Sequence, residues 1–281
     1  MVSLAEKRRG AEHLEAEHCV SERRACQVIE ISRSTKRRPS GRIEEAELIR
    51  RVHELTERYP RFGYRKIFAL MRTEGFALGR ERLRLIRKRE GLQVPRTQRK
   101  RRRRGNSTAD VDRALYPNHV WSYDFVLDQT IDGRRLRFLT VIDEFTREAI
   151  WIECARYLNS HDVVRVLDQL VETRGYPAII KGDNGAEFAS KRIEEWIETR
   201  PTDTYFIEPG SPWQNGHNES FNGVLRDGCL NRWAFVSVRE ARSVVEAWRQ
   251  EYNEERPHGA LNQITPAAYA AGLAPNHGKA A

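Results

Sequence analysis

Residues 120–126 read Val-Trp-Ser-Tyr-Asp-Phe-Val, a run of β-forming residues with a single acid, Asp124, near its centre. Such a run predicts a β-strand. A second strand is predicted over residues 137–143, after an Asp-Gly turn signal, and a third over residues 149–154. These three segments therefore predict a hairpin sheet that begins with the strand of Asp124.

Helices and strands alternate beyond the third strand. Residues 160–174 predict an amphipathic helix that turns one apolar face inward, formed by Val163, Val164, Val166, Leu167, Leu170 and Val171. Residues 177–181 predict a short, buried strand that runs parallel to the first. The remaining elements are predicted as a helix near 189–199, a strand near 203–207, a helix over about 215–231 and a long helix from Ser237. This order describes a mixed α+β sheet of the ribonuclease-H-like type.

The chain before this sheet is predicted to be helical. Ser21 and Ser32 can each cap a short helix, the first with Ala25, Val28 and Ile29 on one face and the second ending before Pro39. Two short helices with a tight turn predict a helix-turn-helix, although Glu30 stands where Gly is usual. Three more helices are predicted over 43–58, 64–74 and 80–90, with a small core of Ile67, Leu70, Met71, Leu83, Leu85 and Ile86.

Charge divides the chain of 281 residues, whose net charge is +9. Residues 1–105 hold 30 Lys and Arg against 14 Asp and Glu, and residues 106–281 hold 19 against 26. The front is suited to a polyanion such as DNA. The candidate DNA-binding residues are Arg33, Lys36, Arg37 and Arg38, then Arg82, Arg84, Arg87 and Lys88, and in a basic linker Arg99, Lys100, Arg101, Arg102, Arg103 and Arg104. The alternative for each group is an ordinary solvated basic face.

Other classes of protein are disfavoured. No apolar run approaches the roughly 20 residues of a membrane span, and the first residues lack a signal core, which predicts a cytoplasmic protein. The cysteines Cys19, Cys26, Cys154 and Cys229 form no CxxC pair, so we expect reduced thiols. The spacing of His13 and His18 relative to the first two cysteines matches no common zinc pattern.

Three acids carry the predicted chemistry. Asp124 lies on the first strand, Asp183 directly follows the buried strand 177–181, and Glu219 lies on a helix with 35 residues between it and Asp183. Neighbouring strands bring the two Asp side chains together, and the helix of Glu219 can lie across them. Carboxylates suit Mg²⁺ or Mn²⁺, and two such ions assist phosphodiester cleavage and transfer. We therefore predict a site with two metal ions at Asp124, Asp183 and Glu219.

Rival acids have structural interpretations. Asp143 and Glu144 follow the second strand near a turn and Arg147, so we interpret them as structural. Glu187 is a possible supporting group near Asp183. In the loop of residues 210–218, Trp213, Gln214 and Asn215 are predicted to contact DNA next to Glu219, with packing of Trp213 on the sheet edge as the equal alternative.

Four strings of the sequence resemble a known family. They are Trp-Ser-Tyr-Asp-Phe at 121–125, Val-Ile-Asp-Glu-Phe-Thr-Arg at 141–147, Asp-Asn-Gly-Ala-Glu-Phe at 183–188 and Gln-Asn-Gly-His-Asn-Glu-Ser-Phe-Asn at 214–222. Together with the tail 252–261 they are similar to the catalytic domain of DDE transposases, in particular the second-frame (OrfB) product of the insertion-sequence-three family, kin of retroviral integrases. The resemblance spans about residues 20–270.

The resemblance implies an enzyme that nicks an element end to free a 3′-OH, which then attacks another phosphodiester without a covalent protein intermediate. It implies terminal inverted repeats and target DNA as substrates, a homo-multimer, and an upstream-frame (OrfA) partner or a frameshift fusion with it. Two positions depart from the family pattern: Lys36 stands where Tyr is common, and Gly228 where Glu is common. A Gly inside a helix is expected to cost about 1 kcal/mol relative to Ala.

These observations predict five segments: a helix-turn-helix over 1–40, a second helical DNA-binding module over 41–95, a basic linker over 96–112, the catalytic core over 113–232, and a helix with a tail over 233–281. Two alternatives to a transposase remain open. One is a ribonuclease-H-like nuclease that cuts without joining, and the other is a non-enzymatic DNA-binding regulator, which would not need three acids at this spacing.

Overall fold

A computed structural model of the chain describes residues 4–37, 42–95, 114–182, 191–206 and 216–273. The chain divides into two compact units, Met1–Glu54 and Leu55–Ala281. No helix among the described residues is long and apolar enough to cross a membrane. The division into five segments stays a prediction.

The second unit contains a sheet of five strands in the order β3-β2-β1-β4-β5. The antiparallel strands β1, β2 and β3 are followed by β4 and β5, which run parallel to β1. Their bounds are Val120–Gln129, Arg135–Asp143, Ala149–Ala155, Ile179–Gly182 and Asp203–Phe206. The mixed sheet, its hairpin start and its parallel fourth strand confirm the predicted ribonuclease-H-like arrangement.

Helices cover both faces of the sheet, and strand β1 contributes to both cores. Trp121 and Tyr123 are buried against one pair of helices, α7 (Ser160–Arg174) and α8 (Lys191–Glu198). Val126 is buried in a second core with residues of α9 (Gly216–Gly228) and α10 (Val238–Glu254). Since side chains alternate along a strand, residues 122 and 124 point away from Trp121 and Tyr123. Asp124 therefore points toward α9.

The predicted face of α7 is largely confirmed. A capping box at Asn159 and Asp162 starts the helix. Four of the expected inward side chains are buried and two are partly buried; the buried ones are Val163, Val166, Leu167 and Leu170.

The first unit contains α1 (Leu4–His18), α2 (Glu22–Val28), α3 (Arg33–Arg37) and the start of α4 (Arg42–Arg58). The side chains of Ser21 and Ser32 accept the backbone N–H groups of Arg24 and Thr35, which confirms both predicted caps. Glu30 has a φ of +56°, so the turn has the left-handed backbone that usually favours Gly. Val28 is 59% exposed, so the prediction that it faces inward is wrong, and Cys26 is buried instead.

Two further helices, α5 (Tyr64–Thr73) and α6 (Arg80–Arg89), belong to the second unit and fall close to their predicted bounds. Ile67, Met71, Leu83 and Ile86 are buried as predicted. Leu85 is 52% exposed, and its predicted place in the core is wrong. The buried face of α6 consists of residues 83, 86 and 87, the spacing of one helical stripe, and residue 85 lies outside it.

The end of α9 corrects the expectation for Gly228. This residue is the last of the helix rather than an interior one. A Cβ built there would lie 2.8 Å from Nε1 of Trp248 on α10. Gly228 therefore permits the close approach of α9 and α10. Beyond α10 the chain adds a short helix that the sequence did not predict, α11 (Pro266–Leu273).

Candidate active site

Strand β1 places Asp124 opposite Thr140 of β2 in the middle of the sheet. The carboxylate is partly exposed. One of its oxygens accepts the N–H of Phe125 at 2.7 Å, and the other accepts the side-chain amide of Asn222 at 2.7 Å. Thr140 Oγ1 lies 3.3 Å from the amide oxygen of the same Asn222. Asp124 is thus held at a defined orientation by a residue of α9.

Helix α9 lies along β1 and is held there by polar contacts at three levels. Asn218, which is fully buried, lies 3.5 Å from Ser122 Oγ. Asn222 reaches Asp124, and Arg226 donates to the carbonyl oxygen of Leu127 at 2.8 Å. Glu219 is exposed in the first turn of α9, three residues before Asn222. Residues three apart share a helix face, so Glu219 lies on the side of α9 that faces Asp124.

Strand β4 ends at Gly182, directly before Asp183, and Asp183 lies outside the described residues. Strand β4 pairs with β1 through Ser122 and Lys181. A Cβ at position 182 would lie 2.8 Å from the ring of Tyr123, which is buried on β1. The strand end therefore requires a Gly because an aromatic ring packs on its backbone.

A buried group of charges lies next to α9. Glu144 and Lys181 form an ion pair of 3.3 Å, with 2% and 6% of their side chains exposed. His217 Nε2 lies 3.8 Å from the second oxygen of Glu144 and 3.0 Å from an Arg147 guanidinium nitrogen. Burial, together with the charges of Arg147 and Lys181, lowers the pKa of His217 to about 4. The imidazole is therefore neutral near pH 7.

The rival acids take structural roles, in agreement with their interpretation. Asp143 is fully buried, and its carboxylate accepts the backbone N–H groups of Asn118, Phe145 and Thr146. Burial raises its pKa, against the effect of these hydrogen bonds. Asp143 thus holds the turn between β2 and β3, while Glu144 neutralises Lys181. Glu187 lies outside the described residues.

The predicted DNA-binding residues differ in availability. Arg33, Arg82 and Lys88 are exposed. Lys36 pairs with Glu15 at 2.5 Å, Arg37 with Glu22 at 2.5 Å and Arg84 with Glu81 at 2.5 Å. The positions that lie outside the described residues are Arg38, Arg99, Lys100, Arg101, Arg102, Arg103, Arg104, Trp213, Gln214 and Asn215.

Arg87 corrects the predicted set. Only 3% of it is exposed, and its guanidinium donates to the carbonyl oxygens of Phe62 at 2.9 Å and Leu92 at 2.7 Å. Its place on the buried stripe of α6, four residues after Leu83, explains this burial. Arg87 therefore fixes the fold of this segment and is not available to DNA.

Polar contacts between α9 and the sheet are formed by Asn218, Asn222 and Thr140. No role was predicted for these three residues from the sequence. Helical spacing could have indicated Asn222, since it follows Glu219 by about one turn and lies on the same side of the helix. Among the described residues, no group of three His, Cys, Asp or Glu is arranged to hold a metal ion. Asp124 and Glu219 carry carboxylate oxygens, the type of donor that Mg²⁺ prefers.

Comparisons with known proteins agree with this fold. Two family profiles described as "Integrase core domain" match residues 114–212 and 201–266, and one described as "HTH-like domain" matches residues 42–102. The chain is 40% identical over 255 residues to the uncharacterized 31.7 kDa protein of insertion element IS407 from Burkholderia multivorans, covering 90% of this chain and 91% of that protein. It is 39% identical to the uncharacterized 39.2 kDa protein of insertion element IS476 from Xanthomonas euvesicatoria, covering 90% and 73% of the two chains.

Among solved structures, a chain of the simian T-cell lymphotropic virus intasome, in complex with the PP2A regulatory subunit B56 gamma, matches with a TM-score of 0.51. The match has 17% identity and covers 82% of this chain and 77% of that chain. This likeness concerns the fold. The integrase core profiles and the relatives from insertion elements lead to one conclusion: the chain belongs to the insertion-sequence-three family of transposases, which are of the retroviral integrase type.

Proposed function

We propose that this transposase cuts and joins DNA through Asp124, Asp183 and Glu219, which hold two Mg²⁺ or Mn²⁺ ions. The observation that carries the proposal is the hydrogen bond from Asn222 to Asp124, because it ties the helix of Glu219 to the strand of Asp124. Ser122 of β1 pairs with Lys181 of β4, and in the sequence Asp124 and Asp183 each follow two residues later. The register thus supports the third acid as a neighbour of the first.

Each residue of the site has a proposed task. The three carboxylates would hold the ions, which would supply activation of a nucleophile and stabilisation of the leaving oxygen of the phosphodiester. Asn222 keeps one oxygen of Asp124 engaged, so that the carboxylate keeps its orientation. Water first attacks the phosphorus at an element end, the bond from phosphorus to the 3′ oxygen breaks, and a 3′-OH and a 5′-phosphate are formed. That hydroxyl then attacks a phosphodiester of target DNA, and the bond to the leaving 3′ oxygen breaks.

Partners follow from the same proposal. Terminal inverted repeats and target DNA are the proposed substrates, and a homo-multimer is the proposed working form. The upstream-frame OrfA protein, or a frameshift fusion with it, stays a prediction from resemblance.

The first test replaces each acid by its isosteric amide: Asp124→Asn, Asp183→Asn and Glu219→Gln. Each change removes a ligand charge and keeps the shape, so cleavage and joining should fall by orders of magnitude while DNA binding persists. Asp128→Asn, on the same strand, is the matched control and should keep activity. Labelled duplex ends measure cleavage and strand transfer together. Near-normal strand transfer by one of the three variants would remove that residue from the site.

The same assay separates the alternatives. A nuclease without joining activity would release cut ends and form no strand-transfer product. A non-enzymatic regulator would yield neither product, but it would bind the ends.

Metal dependence is the second test. Activity should require Mg²⁺ or Mn²⁺ and should not be supported by Ca²⁺, which prefers more ligands at longer distances. Duplex ends are incubated with the protein in chelator, and each ion is then added in turn. Full activity in chelator alone would contradict the mechanism.

A further inference from the structure

A groove of about 630 Å³ lies between helices α5 and α6 and the chain that follows α10. Arg65 and Arg72 of α5 line one side together with Arg80, the first residue of α6. Asn262 and Gln263 line the other side. None of the described residues that line the groove is acidic, so its surface combines guanidinium groups with neutral amides.

These three arginines are exposed, and the structure shows no ion pair for any of them among the described residues. Two of them contact aromatic groups: Arg65 lies 5.9 Å from the Tyr64 ring centre and Arg80 lies 5.7 Å from that of Phe68. Other exposed arginines of the helical region differ. Arg37 and Arg84 each pair with a carboxylate at 2.5 Å. Within the part of the chain that the structure describes, no carboxylate therefore neutralises the charge of the groove.

More positive charge lies beside the groove. Lys66 and Arg256 both contact Phe62, with their charged groups 4.9 and 4.8 Å from the ring centre. Burial, followed by the charge of Arg256, lowers the pKa of Lys66 to about 8. Burial and the charges of Arg256, Lys66 and Arg147 lower the pKa of His258 to about 3. The charges that act on His258 are thus all positive, which favours an anion nearby.

Contacts near the groove join the chain segments that lead into its two sides. Arg58 and Tyr59, at the end of α4 and just beyond it, bind Glu255 at 2.8 and 3.0 Å. In the tail, the N–H of Gln263 donates to the His258 carbonyl at 2.8 Å, and the N–H of His258 donates to that of Ile264 at 3.0 Å. A groove held in this way needs little ordering to bind a ligand.

We propose that this groove binds the sugar–phosphate backbone of the DNA end on which the transposase acts. Arg65, Arg72 and Arg80 contact phosphates, since a planar guanidinium matches phosphate oxygens with two parallel hydrogen bonds. The side-chain amides of Asn262 and Gln263 donate to the same backbone. The proposal rests on the proposed function in taking DNA as the substrate, but it requires neither the three acids nor metal.

The test compares two double variants of the full-length chain. Arg65→Gln/Arg72→Gln removes two groove charges. Arg134→Gln/Arg165→Gln removes two exposed charges that pair with Asp132 at 3.3 Å and Glu153 at 3.4 Å away from the groove. Binding of labelled element-end and random duplexes is followed by fluorescence anisotropy in chelator over several salt concentrations. Arg72→Gln alone is added because, within the described part of the chain, the Arg72 guanidinium has no hydrogen bond or ion pair to lose.

Each phosphate contact contributes about 0.9 to the slope of log affinity against log salt concentration. The groove variant should therefore lose about 2 from the magnitude of this slope and about 10- to 100-fold in affinity near 0.1 M salt. The single variant should lose about 1, and the control pair should bind like the unmodified chain. Both DNAs should be affected by the same factor, because phosphates carry no sequence information.

Three results would contradict the proposal that this groove binds DNA phosphates. These are unchanged binding by the groove variants, equal losses in the control pair, or a selective loss for element-end DNA, which would indicate base contacts. Binding in chelator does not depend on catalysis. If the groove variants bound DNA normally and the acid variants were inactive, only the proposed role of the groove would be wrong. If the acid variants were active and the groove variants bound DNA weakly, only the catalytic proposal would be wrong.

Discussion

The amide of Asn222 is a single group on which the geometry of the site depends, because it links α9 to Asp124 and Thr140. We expect Asn222→Ala to lower the cleavage rate by about 10- to 100-fold, the usual effect of losing a group that orients a metal ligand. The Mg²⁺ concentration needed for half-maximal rate should rise at the same time. Rates measured over a series of Mg²⁺ concentrations give both values.

Asn231→Ala, at an exposed position beyond α9, is the control and should leave both values unchanged. A positioning role predicts a shift in metal dependence. If Asn222→Ala lowered the thermal midpoint and left the Mg²⁺ dependence unaltered, Asn222 would be a packing residue only.

Gly182 offers a test of the close approach between β4 and Tyr123. A methyl group there would lie within 2.8 Å of the ring, and overpacking of this kind costs about 1–3 kcal/mol. Gly182→Ala should therefore lower the free energy of unfolding by that amount in a urea titration. Gly223→Ala is the matched control: nothing lies within 4 Å of its added Cβ, and it stands inside α9. It should stabilise by up to about 1 kcal/mol, and equal destabilisation of both variants would contradict the steric argument.

Among the elements, the turn after β2 and strand β4 are joined by the buried pair of Glu144 and Lys181. Removing one partner leaves an uncompensated buried charge, so Glu144→Gln or Lys181→Met should each destabilise by about 3–5 kcal/mol. The double variant should be more stable than the sum of the two losses predicts, because no lone charge remains. Urea unfolding of all four proteins completes the double-mutant cycle. Strictly additive losses would mean that the two side chains do not interact.

The elements also show how far the sequence is informative. Hydrophobic periodicity and capping residues predicted α7, both serine caps and the five strands, because these signals are local. Val28 and Leu85 are exposed and Arg87 is buried, contrary to prediction, because the side that a short helix turns inward depends on the elements packed around it. The role of Asn222 was not predicted either, because it depends on Asp124, which lies 98 residues away in the chain.

For the whole molecule, the charge division and the structural division do not coincide. The basic helices α5 and α6 belong to the same compact unit as the acidic sheet domain, and the unit boundary lies after Glu54. A fragment made of the basic residues 1–105 would cut through the second unit, Leu55–Ala281. Variants of the full-length chain are therefore the better way to locate DNA binding.

Acid should destabilise the molecule through His258. Its pKa is lowered to about 3 by burial and nearby cations, whereas the unfolded value is about 6.5. The unfolded chain therefore binds more protons below about pH 6.5, so stability falls as the pH falls from that value toward about 3. Thermal midpoints at pH 7 and pH 5 should differ less in His258→Gln than in the unmodified chain. An equal pH dependence in both proteins would exclude His258 as its source.

The contacts of α9 with β1 have a consequence for length variation among relatives. Asn218, Asn222 and Arg226 follow each other at intervals of four residues and meet Ser122, Asp124 and Leu127 in order along β1. The helix rise of about 6 Å over four residues is close to the length of two strand residues. Inserting or deleting one residue between 219 and 226 would rotate the flanking parts of the helix by about 100° relative to each other. Glu219 and its anchors would then face different directions. Relatives that keep the site are thus expected to differ here by substitution and to keep this interval constant in length.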